Sequence, residues 1–221
     1  MPNHAPYLPL RITLRSLQAR RNGSEIAISV TIENGEASES RLFVIGIEQY
    51  CEQGWKKGEL SEEQFEELER ASSLHGALLC GENLLSYGSS TKQMLTRKIM
   101  RHGFTRDEAV AASETLCQMG LINEAEDMRR EVERCLRKLW GAGRIRAHLW
   151  TKGFEREVLD TLPSLLDEVD FPALCVKLIQ KHYGVPTDSQ ERNRITAALY
   201  RYGYASSEIR EAYRRLQKGE A

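Results

Sequence analysis

The 221-residue chain lacks most of the features by which a sequence announces chemistry. Its five cysteines, Cys51, Cys80, Cys117, Cys135 and Cys175, are scattered. None lies in a C-x-x-C and no cluster has zinc-ligand spacing, which argues against a disulfide scaffold or a structural metal and fits buried thiols in a reducing cytoplasm. No run of eighteen apolar residues exists, so a membrane span is not expected. Met1 to Leu10 holds three prolines and no basic stretch followed by an apolar run, so it does not read as a signal peptide. There is no Walker-type phosphate loop, no G-x-G-x-x-G, no G-x-S-x-G and no H-E-x-x-H. His4, His75, His102, His148 and His182 stand alone, with no pair at the helical spacing that metal ligands need. These absences point away from an enzyme and away from a cofactor or metal.

What is present is ordinary for a globular chain: 41% hydrophobic and 29% charged residues, with a net charge of −1. The distribution says more than the total. Residues 1–91 carry 8 Lys+Arg against 13 Asp+Glu, and residues 92–221 carry 23 against 19. The rear is mildly basic. That asymmetry arises either by chance or because the rear meets an anionic partner.

The hydrophobic period changes along the chain. Leu8, Leu10, Ile12 and Leu14 alternate, as do Ile26, Ile28, Val30 and Ile32, which predicts strands. Asn34-Gly35 predicts a tight hairpin turn. Leu42 to Ile45 fits either a strand or the start of a short helix, and Gly54 to Gly58 reads as a loop. A sheet this small is marginal alone and needs a covering element. From residue 60 the period is helical. Ser61 with Gln64 and Thr105 with Glu108 form capping boxes, and Ser206 is the expected cap of the last helix. Phe65, Leu68, Leu74, Leu78 and Leu79 make an apolar stripe. Glu62-Glu63 and Glu66-Glu67 read as a solvated helix face.

An internal repeat organises the rear. Gly103-Phe104, Gly153-Phe154 and Gly203-Tyr204 recur 50 residues apart. The helix before each turn carries an i, i+4 apolar pair at one offset: Leu95/Ile99, Ile145/Leu149 and Ile195/Leu199. The helix after it carries Leu116, Leu166 and Leu216. Four positions in register over three copies signal duplication. Glycine ends a helix in the left-handed conformation, and the following aromatic staples the next helix. Linking helices are expected near 121–140 and 169–183. These are packing features and carry no chemistry themselves. The predicted fold is mainly α: tandem three-helix, helix-turn-helix-like repeats in an elongated array, preceded by a small β-rich module. The expected divisions are 1–60, 61–90, 91–140, 141–183 and 184–221.

Positive side chains recur on the first helix of each repeat: Arg97, Lys98 and Arg101; Arg144 and Arg146, with Lys152 behind them; Arg192, Arg194 and Arg201. Arg210, Arg214 and Arg215 add a further group. On a helical wheel Arg97 and Arg101 point away from the Leu95/Ile99 stripe. Two readings stand: an ordinary solvated face with i, i+4 pairing, or a basic band for phosphates or an acidic protein groove.

Trp140-Gly141-Ala142-Gly143-Arg144-Ile145-Arg146-Ala147-His148-Leu149-Trp150-Thr151-Lys152-Gly153-Phe154 resembles the middle repeat of RecX proteins. Met94 to Phe104, followed by Gly120-Leu121-Ile122, is similar to that family's first repeat, and the front looks like the extra module of its longer members. The run Asn123 to Met128 departs from the pattern by lacking an aromatic. The resemblance implies a cytoplasmic, monomeric regulator without a cofactor. Its expected partner is the RecA recombinase filament on DNA, whose ATPase and strand exchange such proteins modulate, mostly by restraint. The nine basic residues from Arg97 to Arg201 are then the expected contacts. The alternative is a helix-turn-helix protein that binds DNA directly.

Overall fold

The computed structural model describes residues 11–35 and 37–218. Leu8 and Leu10, and the Met1–Leu10 segment with His4, lie outside the described residues. The protein is mainly helical with one small antiparallel sheet at the front. The described residues form two compact units. One comprises residues up to Gly88 together with Leu95–Met119, and the other Ser89–Met94 together with residues from Gly120 onward.

In the first unit, β1 (Arg11–Arg20), β2 (Glu25–Asn34), β3 (Ala37–Gly46) and β4 (Gly58–Leu60) form a sheet in the order β3-β2-β1-β4, every neighbouring pair antiparallel. The Asn34-Gly35 turn joins β2 to β3, with Asn34 paired to Ala37 and Gly35 at φ 64°. Leu42 to Ile45 resolves as strand rather than helix, because β3 pairs with β2 along its whole length. A bulge between Leu14 and Ser16 shifts the register of β1 and brings Leu17 toward the core side. Short α1 (Ile47–Gln53) ends at Gly54, and the following loop holds Trp55 in the core. The 25-residue α2 (Glu62–Ser86) opens on the Ser61–Gln64 capping box, with both reciprocal hydrogen bonds present. Its Leu68 and Ala71 join Ile12, Leu14, Ile28, Val30 and Ile45 in the sheet's core, so α2 is the cover the sheet required.

The expected α2 stripe is corrected in one respect. Leu74, Leu78 and Leu79 are only half-buried, while the buried positions after Leu68 are the small residues Ala71, Ala77 and Gly81. Small residues allow close helix approach: a Cβ built on Gly81 would lie 2.5 Å from Leu116 Cδ1 and 3.2 Å from Ile99 Cδ1. Those partners belong to the first hairpin, α3 (Lys92–Arg101) and α4 (Arg106–Gln118), of which the residues from Leu95 onward lie in this unit.

The second unit contains α5 (Glu124–Arg137), α6 (Ala142–Thr151), α7 (Arg156–Leu159), α8 (Leu162–Leu166), α9 (Phe171–His182), α10 (Ser189–Arg201) and α11 (Ser206–Lys218). One continuous core runs through it, including Val132, Ile145, Leu149, Cys175, Leu178, Ile179, Ile195, Leu199 and Tyr204. All three i, i+4 pairs of the repeat are at most 2% exposed. Gly103, Gly153 and Gly203 take φ of 98°, 77° and 88°, as the turns demand. The helix after the middle turn is broken into α7 and α8, contrary to the single helix expected there. Pro163 in the first turn of α8 has no N–H to continue the ladder. At the last helix, Ser206 is already inside α11. The reciprocal bond is made one residue earlier, where Ala205 N–H donates to Glu208 Oε2 at 2.6 Å.

Within the second unit a contact recurs at the repeat spacing. Thr91 Oγ1 donates to Lys152 O at 3.1 Å, and 50 residues later Gly141 N–H donates to Tyr202 O at 2.8 Å. The second contact is the tighter. A Cβ on Gly141 would sit 2.5 Å from the Gly203 carbonyl, and one on Gly203 would sit 2.2 Å from Arg144 N.

Candidate functional site

The predicted basic residues fall into two classes. In the first unit, Arg97 and Arg101 are exposed and Lys98 is half-buried on α3, opposite the buried Leu95 and Ile99. In the second unit, Arg146 on α6, Arg194 and Arg201 on α10, and Lys152 after α6 are exposed. None of these seven forms an ion pair within the chain among the described residues. Their charge is therefore available to a partner.

Arg144 and Arg192 differ. The Arg144 guanidinium lies 4.2 Å from the Trp140 ring centroid and 5.1 Å from that of Tyr202, and Arg192 stacks 4.5 Å over Tyr213. Both are held by aromatic faces, so their removal would disturb packing as well as charge. In the rear group, Arg214 pairs with Glu211, and Arg215 joins Glu211 and Asp170. Those two arginines staple α11 to itself and to the start of α9.

Residue periodicity also offers a signal that charge alone does not. Met100, Trp150 and Tyr200 occupy the same place in the three copies, one residue after the buried Ile99, Leu149 and Leu199. They are 41%, 68% and 52% exposed. Trp150 follows Arg146 by four residues on α6 and shares its face. A large apolar side chain left in water at each copy, beside free cations, suits an anchor for a partner. The 50-residue register predicts this position; attention to charge passes over it.

A polar cluster lies between α5 and α6. His148 Nε2 is 2.7 Å from Glu131 Oε1, and Arg134 Nη2 is 2.9 Å from Glu131 Oε2. Glu131 and Cys135, one turn apart on α5, are buried, and His148 is half-buried. Trp140 packs edge-on to the His148 ring at 5.2 Å. Burial raises the Glu131 carboxyl, but the His148 hydrogen bond and the charges of Lys152 and Arg134 outweigh it and leave it below its ordinary value. The Cys135 thiol is pushed up by burial and then by the Glu131 charge. One donor atom from each of the three residues lies within 4.8 Å of the others. Among the described residues, no helix is long and apolar enough to cross a membrane.

Comparison with known proteins agrees with this architecture. The chain is 29% identical over 145 residues to a regulatory protein RecX from Pelodictyon phaeoclathratiforme, an alignment spanning 64% of this chain and 89% of that protein. No protein-family model matches. A crystal structure of a regulatory protein RecX superposes with a TM-score of 0.71 at 19% identity, covering 91% of this chain and 98% of the other. RecX from Lactobacillus salivarius gives 0.59 at 19% identity, covering 66% and 98%. In sequence the chain is similar to that RecX protein, and its fold is the one seen in the two RecX crystal structures.

Proposed function

We propose that the protein is a cytoplasmic regulator that binds the RecA recombinase filament on DNA and restrains its ATP hydrolysis and strand exchange, acting in DNA recombination and repair without catalysing a reaction itself. The observation that carries this reading is the alignment to a protein named regulatory protein RecX across 89% of that protein. The exposed cations Arg97, Arg101, Arg146, Lys152, Arg194 and Arg201, with half-buried Lys98, are the proposed contacts, and Trp150 and Tyr200 are apolar anchors beside them. Arginine suits the role because its planar fork grips a carboxylate or a phosphate in two places. Arg144 and Arg192 are supports for this surface, since each is stacked on an aromatic ring.

The test is RecA-dependent ATP hydrolysis on single-stranded DNA with the protein titrated in. Arg146→Glu combined with Trp150→Ala should sharply weaken the effect while the melting temperature barely moves, because both side chains are exposed. Arg194→Glu with Arg201→Glu should act similarly. Glu62→Lys with Glu66→Lys, on the acidic face of α2, should do much less. The unmodified protein's effect should fade as salt rises. Full activity of a folded Arg146→Glu/Trp150→Ala protein would overturn this contact. Equal binding to single-stranded DNA with and without RecA would favour the direct DNA-binding alternative.

A further inference from the structure

We infer that Glu131, Cys135 and His148 form a binding site for a divalent cation of the zinc class. The inference stands independently of the RecA reading. Three chemically suited donors meet between α5 and α6, with Cys135 in the core of the second unit and His148 hydrogen-bonded to Glu131 across the two helices. A carboxylate, a thiol and an imidazole converge within 4.8 Å of one another. Around a tetrahedral zinc with bonds of about 2.0–2.3 Å, neighbouring donors are separated by about 3.3–3.7 Å. Glu131 and Cys135 are i, i+4 on one buried face of α5, so the helix presents both together. His148 enters from α6 with its ring held by Trp140.

The donor set also selects the metal. A thiolate and an imidazole with one carboxylate suit a borderline-soft ion and not the all-oxygen shells of magnesium or calcium. Zinc with Glu131 carboxylate, Cys135 thiolate and neutral His148 is a net-neutral centre. On binding, the thiol proton leaves to solvent and the His148–Glu131 hydrogen bond gives way to two metal bonds, so uptake releases protons and strengthens as pH rises. The cation would offset the burial and, second to it, the Glu131 charge, which both disfavour the Cys135 thiolate. His148 is half-exposed, which leaves a side open for a water as fourth ligand.

The probe is cobalt(II), added to the full-length reduced chain. The expected result is a thiolate-to-cobalt charge-transfer band with the intense visible bands of a tetrahedral site, displaced by zinc, and a melting temperature raised by zinc. Cys135→Ser should abolish the charge-transfer band, and His148→Gln should weaken affinity by about 10-fold or more. Cys117→Ser and Cys51→Ser, at exposed thiols, should leave the spectrum intact. Circular dichroism of the apo proteins checks folding, and the half-exposed His148→Gln carries the test if Cys135→Ser fails to fold. A spectrum without thiolate character, a band that survives Cys135→Ser in a folded chain, an unchanged cobalt affinity in folded His148→Gln, or a band that disappears with Cys117→Ser, would overturn the site.

Discussion

The first and third hairpins carry the same repeat and meet different surroundings. In the first unit, the residues of α3 from Leu95 and those of α4 pack on the small side chains of α2, with Leu116 and Ile99 facing Gly81. In the second unit, α10 and α11 share a core with α5, α6 and α9, and the Gly203 turn sits directly on the backbone of Gly141 and Arg144. The repeat therefore specifies a hairpin, and its neighbour specifies how tightly the turn is held. Gly103 makes this plain: a Cβ there meets nothing within 4 Å, whereas at Gly203 it meets backbone at 2.2 Å.

Substitutions can sharpen this contrast. The largest effect is expected at Gly203→Ala. Left-handed φ alone costs about 1–2 kcal/mol, and the backbone overlap adds about 1–3 kcal/mol more. Gly103→Ala should cost only the first part, read by urea unfolding of each variant. Equal losses would show that the two turns are held alike and would break the comparison. Leu149→Ala should be comparably severe, on the order of 2–5 kcal/mol, because Leu149 is fully buried in the second core. A loss below about 1 kcal/mol would mean that α6 does not anchor that core.

A smaller effect should come from acid. Arg215, beside Asp170, holds that carboxyl below its ordinary value, and Arg214 followed by Arg215 takes Glu211 down to about 2. Both folded-state values are depressed, so their stabilisation is present above the ordinary carboxylate range and is lost as pH falls from about 4 toward 2. The groups are solvent-screened, so the drop in melting temperature should be modest. Arg215→Gln should flatten it. An unchanged acid profile in that variant would remove the α9–α11 staple from the account.

Local pattern was legible because local physics wrote it. The alternation of Ile26, Ile28 and Val30, the Asn34-Gly35 turn, both capping boxes and the three turn glycines each follow from rules acting over a few residues. The misreadings occurred where a neighbour decided. Ser206 looked like a cap, but the chain enters α11 one residue sooner and Glu208 reaches back to Ala205. The middle repeat's second helix looked continuous, yet Pro163 splits it. Arg144 looked like a free cation, but Trp140 and Tyr202 arrive beside it only in the folded chain.

The sequence by itself determined the alternating strands, the hairpin turn, the capping boxes, the 50-residue repeat and which positions carry positive charge, because hydrophobic period, capping and glycine conformation act locally along the chain. Only the tertiary structure decided which arginines are stacked and which are open, which small residues of α2 receive the first hairpin, and that Glu131, Cys135 and His148 meet. Those outcomes depend on side chains from different helices reaching the same few ångströms, a condition that spacing along one chain does not encode.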